Sequence, residues 1–150
     1  MKRSAPLVFA FVLFIAFALP GSAAAQSQDR DHPTQVKVSE IEGDLDASGN
    51  EYFYSFLAGP GELTITVDVK SSTGQALLNF ELLDSKAAAA IICCEFAQAD
   101  GDGQSARNVK TARLGNRQLV VLHVTVGKSG RGTYRVRLGG AIAFEKPAQG

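Results

Sequence analysis

The chain has 150 residues, with 15 basic and 15 acidic side chains, a formal net charge of zero, two cysteines and no tryptophan. That length suits one domain around one core, and the balanced charge argues against a nucleic-acid partner. After the N-terminal segment no apolar run is long enough to span a bilayer, which would need about 20 residues.

Met1-Lys2-Arg3 is a short basic start, followed by the uncharged stretch from Ala5 to Pro20 and the small-residue segment GSAAAQ. Ala23 and Ala25 stand at the −3 and −1 positions of a cut before Gln26. This is the layout of a secretory signal peptide, so residues 1–25 are expected to be removed and the mature chain exported to the periplasm or the medium. Loss of Lys2 and Arg3 leaves 13 basic residues against 15 acidic ones. Residues 26–35, QSQDRDHPTQ, are polar and aperiodic and read as a flexible leader.

From residue 36 to 144 apolar and polar side chains alternate. Leu63, Ile65, Val67 and Val69 are interleaved with Thr64, Thr66 and Asp68; Leu78, Phe80 and Leu82 with Asn79 and Glu81. Val120, Leu122, Val124 and Val126 form another row, and Tyr134, Val136 and Leu138 alternate with Arg135 and Arg137. A period of two places one side of each strand in a core and the other in water. In the segment 52–57 both sides are apolar, as an interior strand requires. Turn chemistry separates the rows at AGPGE (58–62), SSTGQ (71–75), ADGDGQS (99–105), LGN (114–116) and GKSGRG (127–132). The alanine-rich stretch SKAAAAIICCEFAQA is assigned to the sheet because turns bound it and Ile and Cys enrich it. The pattern predicts an all-β fold, a single antiparallel β-sandwich of about seven to nine strands. Residues 145–150 form a C-terminal tail.

The charge is segregated along the chain. Residues 38–103 hold 12 acidic and 2 basic side chains; residues 104–146 hold 9 basic and 1 acidic. Interleaved strands that pair these charges are the first explanation. The second is a basic surface that includes Arg107, Lys110, Lys128 and, as the ligand-binding candidates, Arg113, Arg117, Arg131, Arg135 and Arg137.

The stretch GDLDASGNEYFYSF begins like a calcium loop. With Asp44 first, Asp46 third and Ser48 fifth, the bidentate Glu required at position 12 falls on Ser55, so a helix–loop–helix site fails. A turn is the preferred reading, with Asp44, Asp46, Asn50 and Glu51 as a candidate calcium set. Cys93 and Cys94 are adjacent, about 3.8 Å between Cα atoms, where ordinary disulfides want about 4.4–6.8 Å. One buried and one exposed thiol are expected, the exposed one able to join two chains, with a vicinal bridge as the alternative. His123 stands alone on an outward strand face, and no nucleophile with a positioned base is evident.

The order of EIEGDLDASGNEYFYSFLAGPGELTITVDV, LLNFELLDS and GKSGRGTYRVRLGG resembles the bacterial pre-peptidase C-terminal (PPC) domain family over residues 36–140. Its pieces are Gly43, the aromatic strand Phe53-Tyr54-Ser55-Phe56, the alternating strand Leu63 to Val69, Phe80 to Asp84 and Gly132 to Leu138. The resemblance implies a jelly-roll-like sandwich without catalytic activity. It also implies an acidic residue before the aromatic pair for calcium, where this chain has Tyr52, and it departs by lacking a preceding protease, so the chain reads as a stand-alone copy. The expected function is a non-enzymatic exported module that binds polysaccharide, envelope material or a protein partner, with no cofactor unless calcium. The alternative is an assembly module that forms a homodimer through Cys94 or a sheet edge.

Overall fold

A computed structural model describes residues 26–46, 49–86, 89–127 and 130–144. The segment expected to be a signal peptide (1–25), Ser48, Lys128 and the expected tail (145–150) lie outside the described residues. The described residues contain eight strands and no helix: β1 (Thr34–Gln35), β2 (Glu40–Asp44), β3 (Glu51–Thr73), β4 (Ala76–Asp84), β5 (Ala90–Ala99), β6 (Ser105–Leu114), β7 (Gln118–Val126) and β8 (Arg131–Ala143).

The 23-residue β3 organises the domain. Its first half pairs with β7, and β4 and β5 extend that layer in the order β3-β7-β4-β5. Its second half pairs with β6 on one side and β8 on the other, with β2 outside β8. All of these pairings are antiparallel; β1 alone runs parallel to β3. The alternating apolar rows of both layers meet in one core: Leu63, Ile65, Val67, Leu78, Leu82, Val120, Leu122, Val124 and Val136 are all fully buried. The architecture is the all-β sandwich that the alternation predicts.

AGPGE is not a turn between strands. The ladder to β8 continues across it, from Ala58↔Ile142 to Leu63↔Gly140, with a bulge between. Gly59 (φ 81°) and Gly61 (φ 126°) supply a backbone that side-chain-bearing residues rarely adopt. The extra residues reverse the alternation: Tyr54, Phe56 and Ala58 face the core before the bulge, and Leu63, Ile65 and Val67 after it. One strand thus serves both layers.

The leader differs from expectation too. Residues 26–35, read as flexible, lie along the edge of β3 that β7 leaves open. Phe53 N donates to Ser27 O and Val36 N to Ser55 O, both at 2.9 Å, on either side of the β1 pairing. An uncovered strand edge presents unpaired amides and carbonyls, and the polar leader satisfies them.

Candidate functional site

The charge segregation resolves into cross-strand pairing on the outer face of the β2-β8-β3-β6 layer. Register places Glu42 opposite Arg135, Arg135 opposite Asp68, and Asp68 opposite Arg107. Odd positions in the second half of β3 and even positions of β8 fill the core, so these neighbours share the wet face. Asp68 joins two arginines: Arg107 Nε donates to Oδ1 at 2.5 Å and Arg137 Nη2 to Oδ2 at 2.6 Å. Arg135 donates through Nε to Glu42 at 2.7 Å and also pairs with Glu40 at 3.3 Å. Burial opposes charge on Asp68, but the Arg107 and Arg137 hydrogen bonds prevail and hold its carboxyl below the usual carboxylate range. The hydrogen bond to Glu42, with the charge of Glu40, raises Arg135 above an ordinary guanidinium. At the centre Arg137 Nε is buried without a hydrogen-bond partner among the described residues. A groove of about 880 Å³ runs over this ladder.

The five candidate arginines do not form one surface. Arg135 and Arg137 lie in the ladder. Arg113 stands opposite Glu62 and Arg131 opposite Thr73, which separates them by 11 positions of β3, roughly 35 Å at strand spacing. Arg117 occupies the β6–β7 turn. Of the other basic residues, Lys110 pairs with Glu95 at 2.9 Å. Pairing, the first of the two sequence explanations, accounts for Arg107, Lys110, Arg135 and Arg137.

The calcium candidates diverge as well. Glu51 turns to His123 at 3.3 Å, Asn50 donates to Tyr52 Oη at 3.1 Å, and Asp44 sits in β2 opposite Thr133. Asp46 follows the end of β2 as an exposed residue. Among the described residues no group of three or more His, Cys, Asp or Glu side chains is arranged to hold a metal ion. In the second acidic turn, Asp102 accepts from Gly74 N and Asp100 from Gln75 and Gln98, so both carboxylates hold this turn to the β3–β4 turn.

The cysteines correct the expectation of one buried and one exposed thiol. Both are exposed, and a disulfide joins them. Strict alternation would have sent them to opposite sides. Cys94 instead takes φ 60°, in a bulge where Cys93 and Cys94 together oppose Glu81.

His123, read from the sequence as solitary, has four neighbours. Its Nδ1 lies 2.8 Å from Glu81 Oε1, its Nε2 3.3 Å from both Glu51 Oε2 and Thr125 Oγ1, and Phe53 stacks on its ring at 4.4 Å. Thr125–His123–Glu81 has the connectivity of nucleophile, base and orienting acid. Two features oppose acyl transfer here: Glu51 competes for the same Nε2, and the cross-strand ladders of β3, β7 and β4 engage the backbone amides an oxyanion would need. The signal for this cluster was the register Glu81↔His123↔Phe53, which no local pattern in the sequence reveals.

The fold and this polar face define a β-sandwich module. No protein-family profile matches the chain, and no curated protein does. Among solved structures it is similar to the pre-peptidase C-terminal domain of a collagenase from Bacillus anthracis, at 17% identity over 72% of this chain and 95% of that one, with a TM-score of 0.44. It is also similar to the CBM36-1 domain of a multidomain xylanase from the hindgut metagenome of Trinervitermes trinervoides (13% identity, 74% and 93% covered, TM-score 0.48). A third is PliG from Aeromonas hydrophila, a periplasmic inhibitor of g-type lysozyme (18% identity, 71% and 96% covered, TM-score 0.43). The family that the sequence motifs resemble is thus represented among these structures.

Proposed function

We propose that this chain is an exported, non-catalytic binding module that lays a hydroxyl-rich polymer, a polysaccharide of the cell envelope or surroundings, along the outer face of the β2-β8-β3-β6 layer. The observation that carries this reading is the Glu42–Arg135–Asp68–Arg107 ladder under an open groove. Guanidinium and carboxylate groups already fixed to one another keep further donor and acceptor sites aimed at solvent, at little added ordering cost on binding. Thr64, Thr66 and Thr111 extend the same face with hydroxyls. Four carboxylates (Glu40, Glu42, Asp44, Asp68) stand against four cations (Lys70, Arg107, Arg135, Arg137), which favours a neutral sugar chain over a polyanion. Export is supported by the sequence layout of residues 1–25 and by an exposed disulfide, which persists in oxidising compartments. The assembly alternative loses its free thiol, since Cys94 is bonded to Cys93.

Affinity electrophoresis through gels containing neutral polysaccharides, uronic-acid polysaccharides or peptidoglycan fragments tests this. Retardation by a neutral polymer is expected to survive high salt and to vanish in the Asp68→Ala, Arg135→Ala double variant. Unretarded migration in every gel rules the reading out.

A further inference from the structure

We propose that the Cys93–Cys94 disulfide is a reversible redox site, opened by a dithiol reductant, whose state sets the local order of β5. Four observations converge on it. Both cysteines are exposed, so a reductant can reach the bond without unfolding the domain. The chain has no other cysteine, so opening the bond cannot lead to a rearranged pairing within the molecule. Cys94 is the one residue other than glycine with a positive φ among the described residues, and the bridged pair occupies the bulge that interrupts the β4–β5 ladder between Phe80↔Glu95 and Leu82↔Ile92. That bulge reverses the alternation of β5, so that Ile92 on one side and Ala97 and Ala99 on the other all reach the core. The covalent link therefore sits where β5 changes face.

The consequences run outward from the bulge. Immediately after it, Glu95 holds Lys110, while the side chain of Asn108 donates to Glu95 at 3.2 Å and to Phe96 O at 2.7 Å. These contacts tie β5 to β6, and they follow directly on the residue with φ 60°. Cys94 also lines a small pocket with Asn79, Glu81, His123 and Thr125, a polar setting able to receive a released thiol. In the exchange, a thiolate of the reductant attacks one cysteine sulfur and the S–S bond breaks. The electron pair leaves on the other sulfur, which takes up a proton. The reductant's second thiol then resolves the mixed disulfide, so the reductant ends as a disulfide and Cys93 and Cys94 as two thiols, a transfer of two electrons and two protons. Once open, Cys94 is free to return to extended backbone, and the order of residues 90–96 falls while the core rows of β3 and β7 stay in place.

Hydrogen exchange on the purified protein, with and without tris(2-carboxyethyl)phosphine or reduced thioredoxin, tests the proposal alongside thiol titration. Titration is expected to find no free thiol before reduction and two after it. Exchange in residues 90–96 should accelerate on the order of tenfold on reduction while residues 63–69 keep their protection, and re-oxidation should reverse the change. The Cys93→Ser, Cys94→Ser variant should show the reduced pattern with or without reductant. Two free thiols before treatment, unchanged exchange after reduction, or loss of protection across the whole sheet would each overturn it. The comparison of oxidised and reduced wild type decides the matter even if the double variant fails to fold.

Discussion

The hydroxyls of Tyr54 and Tyr134 meet at 3.1 Å inside the core, one from the first half of β3 and the other from β8 in the facing layer. Each tyrosine is 2% exposed, and Gln26 Nε2 donates to Tyr134 Oη at 3.2 Å. The pair is a polar rivet between layers, set within the apolar core.

Removing one end of it should cost more than its hydrogen bond is worth. Tyr134→Phe leaves the Tyr54 hydroxyl and the Gln26 amide without this partner, so a loss of about 1–3 kcal/mol in urea unfolding is expected. The Tyr54→Phe, Tyr134→Phe double variant should lose less than the sum of the two single losses, because no hydroxyl is then stranded.

The same pair predicts behaviour in alkali. Burial, and then the neighbouring Tyr134, push Tyr54 above the ordinary phenol range; burial also raises Tyr134, against the hydrogen bonds from Tyr54 and Gln26. The folded state therefore keeps its protons where the unfolded state loses them, above about pH 10. The stabilisation from these groups is complete below that pH and declines as pH rises beyond it. Tyrosinate absorbance from these two residues should grow only together with loss of the folded signal. Growth of their absorbance while the fold remains intact would contradict this.

Asp68 predicts the acid side. Its carboxyl is depressed in the folded state, so its contribution is present above the unfolded carboxylate value, about 3.9, and is lost as pH falls through the lower folded one. Arg107 and Arg137 are 60% and 42% exposed, so solvent screens the pairs, and the contribution should be about 1 kcal/mol or less. Asp68→Asn should flatten the pH dependence of stability below pH ~4 by that amount. An unchanged acid profile would show that the ladder does not stabilise the fold.

Comparing Gly49, between β2 and β3, with Gly59, in the bulge of β3, separates backbone conformation from packing. Gly59 has φ 81°, and a Cβ there would run into Asn116 O and come within 2.9 Å of Leu114 Cβ. Gly49 has φ 79°, and a Cβ there would meet nothing within 4 Å among the described residues. Gly49→Ala should cost about 1 kcal/mol, the penalty of left-handed backbone alone. Gly59→Ala should cost a further 1–3 kcal/mol or so for overpacking. Equal losses in the two variants would mean that the bulge is not packed as described.

Calcium is expected to leave the melting temperature where a chelator puts it, because Glu51 is committed to His123 and Asn50 to Tyr52. A rise with millimolar calcium would show binding to the folded state.

Much of the fold was legible along the chain because a strand's side chains alternate whatever they pair with. Leu63 to Val69, Leu78 to Leu82, Val120 to Val126 and Tyr134 to Leu138 fill the core as their spacing implies. AGPGE misled because glycine and proline punctuate a bulge with the same residues that punctuate a turn, and only continuous pairing with β8 tells them apart. The cysteines misled because the rule of opposite faces assumes regular backbone, which Cys94 abandons.

Local order, side-chain alternation and charge segregation follow from covalent sequence, since each depends on neighbours a few residues away. Partnership does not. Asp68 and Arg107 lie 39 positions apart, Glu42 and Arg135 lie 93 apart, and strand register alone brings them into contact. A slip of one residue in register would turn the ladder inward and send the core row of β3 into water. The acidic and basic halves of the chain announced that charges would meet; the pairing of β2, β8, β3 and β6 chose which ones, and so left Arg113, Arg117 and Arg131 outside the ladder.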